Sequence, residues 1–264
     1  MNSNCIDIIK LGGAVITDKT EYKKIRLLEL SEICQQIGEW GKPCIIVHGA
    51  GSYGHIKAKE YNITSGFQES SQIQGLIQIR KDMHELSSIV VEELTKANLK
   101  IMNFQTSSLI YSRKEGKQHE YFLNPIQKTM QLGLIPVLSG DIVFAEEEGF
   151  NILSGDLVID ILASNFQVNR VIFITNVDGL MVTNPESNQK ECLLNASSED
   201  LKSLSFTTEI SEDVIDVTGS MKGKIENIRS ILKSVNEIII VNGQENKRVL
   251  DALKEKEVIC TRIK

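Results

Sequence analysis

The stretch Cys44-Ile45-Ile46-Val47-His48-Gly49-Ala50-Gly51-Ser52-Tyr53-Gly54-His55 carries an apolar run into a glycine-rich turn and ends on a histidine. Glycines at 49, 51 and 54 let backbone N–H groups approach an anion closely, and His55 adds a proton donor. The segment has the chemistry of a phosphate cradle. Taken literally it also reads Gly-x-Gly-x-x-Gly after a strand, the fingerprint of a dinucleotide site. That second reading requires a long helix and then another strand, with an acidic residue about 20 positions on to hold ribose. The chain continues instead with Ile56 to Asn62 and a polar, glutamine- and serine-rich stretch, Thr64 to Gln74, with no second strand. A nicotinamide-dependent oxidoreductase is therefore the weaker reading.

Working outward, strand-like apolar runs alternate with longer periodic segments, the pattern of an α/β sheet with helices on both faces. Strands are expected at Ile6 to Leu11, Pro43 to Val47, Leu99 to Asn103, Ile135 to Ser139, Val171 to Thr175, Glu237 to Val241 and Glu257 to Ile263. Helical spacing marks Ile25 to Trp40, stopped by Gly41-Lys42-Pro43, and the long segment Ile73 to Ala97. Ile142 to Phe144 and Phe150 to Leu153 flank an acidic tip, Glu146 to Gly149, and read as a hairpin. Ser197 to Asp213 reads as a polar surface excursion, and Asn165 to Asn169 as the place for a lobe boundary.

With 264 residues, 41% of them apolar, the chain can bury a substantial core. Its net charge of -6 and dispersed lysines argue against nucleic acid and for a small-molecule partner. The five cysteines are widely spaced without a Cys-x-x-Cys pair, so they read as buried thiols in a reducing compartment. No signal segment or long apolar run is evident, and a cytoplasmic protein is expected.

Four further motifs carry candidate chemistry. In Ile8-Ile9-Lys10-Leu11-Gly12-Gly13-Ala14 a lysine ends an apolar strand just before two glycines, a costly placement if buried unless an anion accompanies it. Lys19 follows past the turn at Thr17 and Asp18, where most lysines are merely solvated. Leu138-Ser139-Gly140-Asp141-Ile142-Val143 and Leu153-Ser154-Gly155-Asp156-Leu157-Val158 are near-identical phrases. Asp156 falls in a first helical turn, where a carboxylate is commonly a cap but can also orient nearby lysines or hold a metal-nucleotide. Thr175-Asn176-Val177-Asp178-Gly179-Leu180 ends a strand on an Asp-Gly turn, and Asp216-Val217-Thr218-Gly219-Ser220-Met221-Lys222-Gly223-Lys224 feeds a glycine turn into a helix that can aim Lys224 at an anion.

In this order the five motifs resemble the amino acid kinase superfamily, and within it the isopentenyl phosphate kinase branch, from Lys10 to Ile263. The resemblance implies a three-layer αβα sandwich around a mainly parallel sheet. It implies a single domain over 1–264, with an acceptor-binding part over about 1–168 and a nucleotide-binding part over about 169–264, commonly as a homodimer. The implied reaction is phosphorylation of isopentenyl phosphate by Mg²⁺-ATP. Lys10 and Lys224 would touch the ATP phosphates, with Gly12, Gly13, Ala14, Gly51, Asp178, Gly179, Gly219 and Ser220 on the nucleotide side. Lys19 would stabilise the transferring group, and Asp156 would orient the lysines. Ala50, Gly54, His55 and Gly155 would meet the acceptor, with His55 gripping its phosphate, and no side chain is assigned to a metal. The chain departs from the family pattern at Ala50 and Ser220, where glycine is usual, and at Cys260-Thr261 in place of Gly-Thr. A kinase of a related phosphomonoester or of a phosphonate such as fosfomycin stays open, as does a nucleotide-binding regulator without turnover.

Overall fold

The computed structural model describes residues 5–113, 118–183, 189–201 and 221–264, apart from the side chains of residues 183 and 221–224. The elements begin with β1 (Ile6–Leu11), α1 (Gly13–Ile16), β2 (Thr17–Asp18), β3 (Lys24–Ile25), α2 (Leu27–Trp40), β4 (Cys44–His48) and α3 (Gly51–Glu60). They continue with α4 (Ser71–Lys96), β5 (Ile101–Asn103), β6 (Ile110–Arg113), β7 (Gln118–Tyr121), α5 (Asn124–Gln131), β8 (Ile135–Ser139), β9 (Asp141–Ala145), β10 (Gly149–Leu153), α6 (Gly155–Asn165) and β11 (Val168–Thr175). The last part holds β12 (Leu180–Thr183), β13 (Lys190–Leu193), β14 (Asn195–Ala196), a helix Met221–Leu232, β15 (Glu237–Asn242), a helix Arg248–Leu253 and β16 (Cys260–Ile263).

Eight strands form one sheet in the order β14-β16-β15-β11-β1-β4-β8-β5. Its pairs are parallel except β15 with β16. Alternation along each strand sends Ile9, Leu11, Ile46, Val137, Ile172, Ile174, Ile239 and Val241 to one face, where α2, α3, α4 and the helix Arg248–Leu253 cover them. Ile8, Ile45, Val47, Leu138, Val171, Phe173, Ile238 and Ile240 point to the other, under α5, α6 and the helix Met221–Leu232. With both faces covered, the strands read as unbroken apolar runs, and the chain is the α/β sandwich that the alternation implies. Each fully buried isoleucine contributes on the order of 1.5–3 kcal/mol, so the central strands anchor everything attached to their ends.

The helix stop at Gly41 takes the expected form, a left-handed residue (φ 64°) whose N–H donates to the Ile37 carbonyl at 3.0 Å. The acidic-tip hairpin is β9 with β10, Gly149 facing Ala145. Two local expectations are corrected. The glycine turn is shorter than it reads, because the chain is helical from Gly51 and His55 sits just past the first turn of α3. The segment between β5 and β8 also holds β6, β7 and α5, which the sequence pattern left unassigned; β6 and β7 join the hairpin in a separate sheet, β10-β9-β6-β7. At four residues each, Ile110-Tyr111-Ser112-Arg113 and Gln118-His119-Glu120-Tyr121, the second mostly exposed, they carry no polar–apolar alternation to read. Residues 202–220, with most of the polar excursion, Gly219 and Ser220, lie outside the described residues.

Burial pushes the thiols of Cys34 and Cys44 well up, the latter to about 12, as befits cysteines serving as core packing. Among the described residues, no helix is long and apolar enough to cross a membrane.

Candidate active site

Parallel pairing brings the carboxyl ends of β1, β4, β8 and β11 to one edge, the position where open α/β sheets hold ligands. Lys10 lies level with Val47 on one side and Phe173 on the other, near the end of β1. Its ammonium is nearly buried, forms an ion pair with Asp156 and lies 5.5 Å from the centroid of the Phe173 ring. Asp156 is available for that pairing because Ser154 takes the capping role, its hydroxyl accepting from the Leu157 N–H at 3.2 Å. The first copy of the phrase is used differently. Asp141 accepts from the N–H groups of Ser107 at 3.0 Å and Ile142 at 2.8 Å, and it fixes a turn.

Two glycine turns meet backbone to backbone beside Lys10. A Cβ on Gly13 would come within 2.6 Å of the Gly51 nitrogen, and one on Gly49 within 2.7 Å of the Gly13 nitrogen. Gly51 (φ 50°) would drive a Cβ to 2.0 Å from the Thr17 hydroxyl. Glycine is needed there for packing as well as for conformation. Ala50 stands at φ -78° and ψ -30°, ordinary helical geometry, so the methyl at this departure from the family pattern causes no backbone strain. Gly54 leaves the room that the Ala50 methyl needs, since a Cβ there would approach it to 2.7 Å. Gly12 donates its N–H to the Ile174 carbonyl at 2.9 Å, and Ala14 is in the short α1 that follows.

Beside this junction lies a pocket lined by Ala50, Gly54, His55, Gly140, Asp141, Ser154 and Gly155 together with the apolar Ala58, Ile79, Met83, Ile142, Ile152 and Leu153. Its volume is about 40 Å³. A single water needs roughly 10–15 Å³ on the same measure, so the pocket suits a short apolar group. Helix α3 places His55 on the pocket wall, and α4 supplies Ile79 and Met83, which no glycine pattern could have disclosed.

Lys19 is exposed in the turn between β2 and β3. Asp178 accepts from the Asn242 side chain at 3.0 Å and pairs with Arg248. Gly179 (φ 159°) packs so closely on Thr261 that a Cβ would sit 2.3 Å from its hydroxyl, which also accepts from the Leu180 N–H at 2.7 Å. Thr261 thus closes the turn beside the buried Cys260, at the second departure from the family pattern. Lys224 belongs to the helix Met221–Leu232, and its side chain lies outside the described residues.

Sequence reasoning missed two side chains that hold the glycine turns. The Thr17 hydroxyl donates to the Gly13 carbonyl at 2.7 Å and accepts from the Ser52 N–H at 2.9 Å, tying one turn to the other. His48, fully buried, lies 3.0 Å through Nδ1 from the Gly49 carbonyl and 2.9 Å through Nε2 from the Ser87 hydroxyl. A carbonyl only accepts, so Nδ1 carries the proton and Nε2 accepts from Ser87. The signal in the sequence was a polar residue ending an all-apolar strand.

Burial pushes the His48 imidazole down to about 4, against the smaller upward effect of its Gly49 hydrogen bond. The unfolded chain binds its proton near 6.5, so the neutral ring's contribution is complete above that pH and is lost as pH falls toward 4, by roughly 3 kcal/mol in all. His48→Asn, whose amide can still donate to Gly49, should flatten the acid limb of stability in urea titrations between pH 7 and 4.5. An unaltered slope would remove His48 as its source.

Residues 7–242 match the Amino acid kinase family. The isopentenyl phosphate kinase of Methanothermobacter thermautotrophicus is 32% identical over 266 residues, 97% of this chain and 98% of its own. That of Thermoplasma acidophilum is 29% identical over 251 residues, 94% and 96% of the two chains. A crystal structure of an isopentenyl phosphate kinase substrate complex superposes with a TM-score of 0.79 at 26% identity, covering 98% of this chain and all of the other. Family match, near full-length relatives and fold agree with the site's two glycine turns, lysine-aspartate pair and histidine-walled pocket: the chain belongs to the amino acid kinase family, in its isopentenyl phosphate kinase branch.

Proposed function

We propose that this phosphotransferase moves the γ-phosphoryl group of Mg²⁺-ATP to isopentenyl phosphate, giving isopentenyl diphosphate and ADP, as a cytoplasmic homodimer serving isoprenoid biosynthesis. The observation that carries the reading is a small pocket that combines His55 with the apolar side chains of Ala58, Ile79, Met83, Ile142, Ile152 and Leu153. An acceptor with a phosphate head and a short apolar tail fits that combination.

A phosphate monoester is already anionic near neutral pH, so it attacks without a strong general base. An oxygen of the acceptor forms the new bond to Pγ as the bond from Pγ to the β,γ-bridging oxygen breaks, and the electron pair leaves with ADP. The protein must align two anions and offset their repulsion. Lys10, held by Asp156, and Lys224 serve the ATP phosphates, with the packed turns Gly12-Gly13-Ala14 and Gly49-Ala50-Gly51. Lys19 serves the transferring group, and His55 with Gly54 and Gly155 grips the acceptor. Asp178 and Gly179, with Gly219 and Ser220, border the nucleotide. Glycines 13, 49 and 51 let the two turns pack backbone to backbone, and a polyphosphate would lie along their exposed side. Among the described residues no cluster of three or more His, Cys, Asp or Glu side chains gathers. Mg²⁺ carried on the phosphates needs no such cage, and when bound it neutralises charge that develops there.

ADP release measured with isopentenyl phosphate, fosfomycin and geranyl phosphate tests the assignment. Isopentenyl phosphate should be turned over at least tenfold faster, as kcat/KM, than either alternative, a margin of about 1.4 kcal/mol. Preference for fosfomycin would replace the acceptor with a phosphonate. ATP binding without transfer to any acceptor would make the chain a nucleotide-binding regulator.

A further inference from the structure

Lys19 is carried by an excursion with little backbone support. β2 and β3 pair only at Thr17 with Ile25 and Asp18 with Lys24. A ladder this short is marginal by itself in water. Asp18 accepts from the Thr20 N–H at 3.0 Å and its hydroxyl at 2.7 Å, closing a local turn around Lys19, while Thr17 ties the base of the excursion to Gly13 and Ser52.

A second attachment, beyond the base, comes from Asp82 on α4. Its carboxylate is fully buried. Tyr22 donates its hydroxyl to one oxygen, and the other faces the Gln78 amide at 3.0 Å and the Lys23 ammonium at 3.4 Å. Lys23 also pairs with Glu85 and lies 5.7 Å from the Tyr53 ring centroid on α3. Its φ of 58° is a left-handed conformation unusual for lysine, held by side-chain contacts rather than by local preference. Lys57 of α3 lies 5.2 Å from the centroid of the Tyr22 ring. A buried carboxylate is costly without partners, and here two of its three come from the Lys19 excursion.

We infer that Asp82, through Tyr22 and Lys23, is the positioning residue that holds Lys19 over the transferring phosphoryl group. The inference rests on the proposed role of Lys19. Asp82 follows the pocket residue Ile79 by three positions and precedes Met83, so one rigid helix carries both the acceptor wall and the Lys19 anchor. The distance between acceptor and Lys19 is thereby set by a single element. A misplacement of about 1 Å is enough to slow transfer by roughly a hundredfold.

The test is a double-mutant cycle on steady-state turnover, using full-length protein with Mg²⁺-ATP and isopentenyl phosphate. Tyr22→Phe and Asp82→Asn are conservative changes, and melting temperature is followed in parallel. Each should lower kcat by about tenfold or more with KM for ATP within about twofold, Asp82→Ala being worse than Asp82→Asn. In a Lys19→Ala background the same changes should cost less than about twofold, because nothing remains to be positioned. Losses that multiply in both backgrounds would assign Asp82 to general stability and overturn the inference. So would unchanged kcat in Tyr22→Phe and Asp82→Asn when Lys19→Ala alone is crippled, and that result would leave the role of Lys19 intact. An active Lys19→Ala enzyme would remove that role and the inference with it.

Discussion

Lys10→Ala is expected to lower kcat by about 10²–10³-fold and to weaken the fold at the same time. Lys10 sits where the central strand ends, and nothing else on β1 presents a cation to the ligand edge. Removing one preorganised charge aimed at a phosphoryl transition state costs on the order of 3–4 kcal/mol of barrier. The stability effect has a separate origin. Side chains of Lys10 and Asp156 are only 12% and 11% exposed, so the truncation strands a carboxylate with its partner gone. Breaking such a pair costs about 3–5 kcal/mol, whereas exchanging both members for apolar groups can be nearly neutral. Lys10→Met with Asp156→Leu should therefore recover much of the unfolding free energy lost in Lys10→Ala, while turnover stays low. Urea unfolding and ADP release on the three proteins separate the two effects. Turnover within threefold of the parent in Lys10→Ala would take Lys10 out of the reaction.

His55→Ala should cut kcat/KM for the acceptor by about 10–100-fold, the worth of one hydrogen bond to a charged group, with little change in ATP affinity. The asymmetry follows from placement. His55 stands on the pocket wall, whereas the Gly12-Gly13 turn lies across the glycine junction, packed against Gly49 and Gly51. The ring is partly open to solvent and its loss leaves no cavity in the core, so stability should hardly move. His55→Gln, which retains a donor on a side chain of similar reach, should recover part of the loss. Equal weakening of ATP and acceptor would mean that His55 serves the glycine junction instead.

Several pieces of the candidate site stand out in the sequence itself. Lysine before two glycines, glycines before a histidine, and an aspartate opening a helix are short-range patterns, and each survives folding because it sits at the end of a strand or the start of a helix. The central strands were equally plain, since burial on both faces demands unbroken apolar runs such as Ile45-Ile46-Val47. The weakly patterned β6 and β7 escaped notice because strands of four residues carry little periodic signal.

Composition and spacing by themselves determined that the chain is an α/β protein with glycine turns at the ends of its central strands, because strand burial and glycine turns are local properties of the chain. Tertiary structure alone decided which of two equivalent aspartates meets Lys10. Asp141 and Asp156 stand in matching phrases, but Ser154 caps α6 and leaves Asp156 to reach the lysine 146 positions away, while Asp141 is consumed by the amides of Ser107 and Ile142. It also decided that Ile79 and Met83 of α4 line the pocket beside His55 and that Asp82 holds Tyr22 and Lys23; the sequence pointed to that long helix but not to these residues. The physical reason is common to all three: a side chain's partner is chosen by which elements pack together, and that is a property of the assembled layers rather than of neighbouring residues.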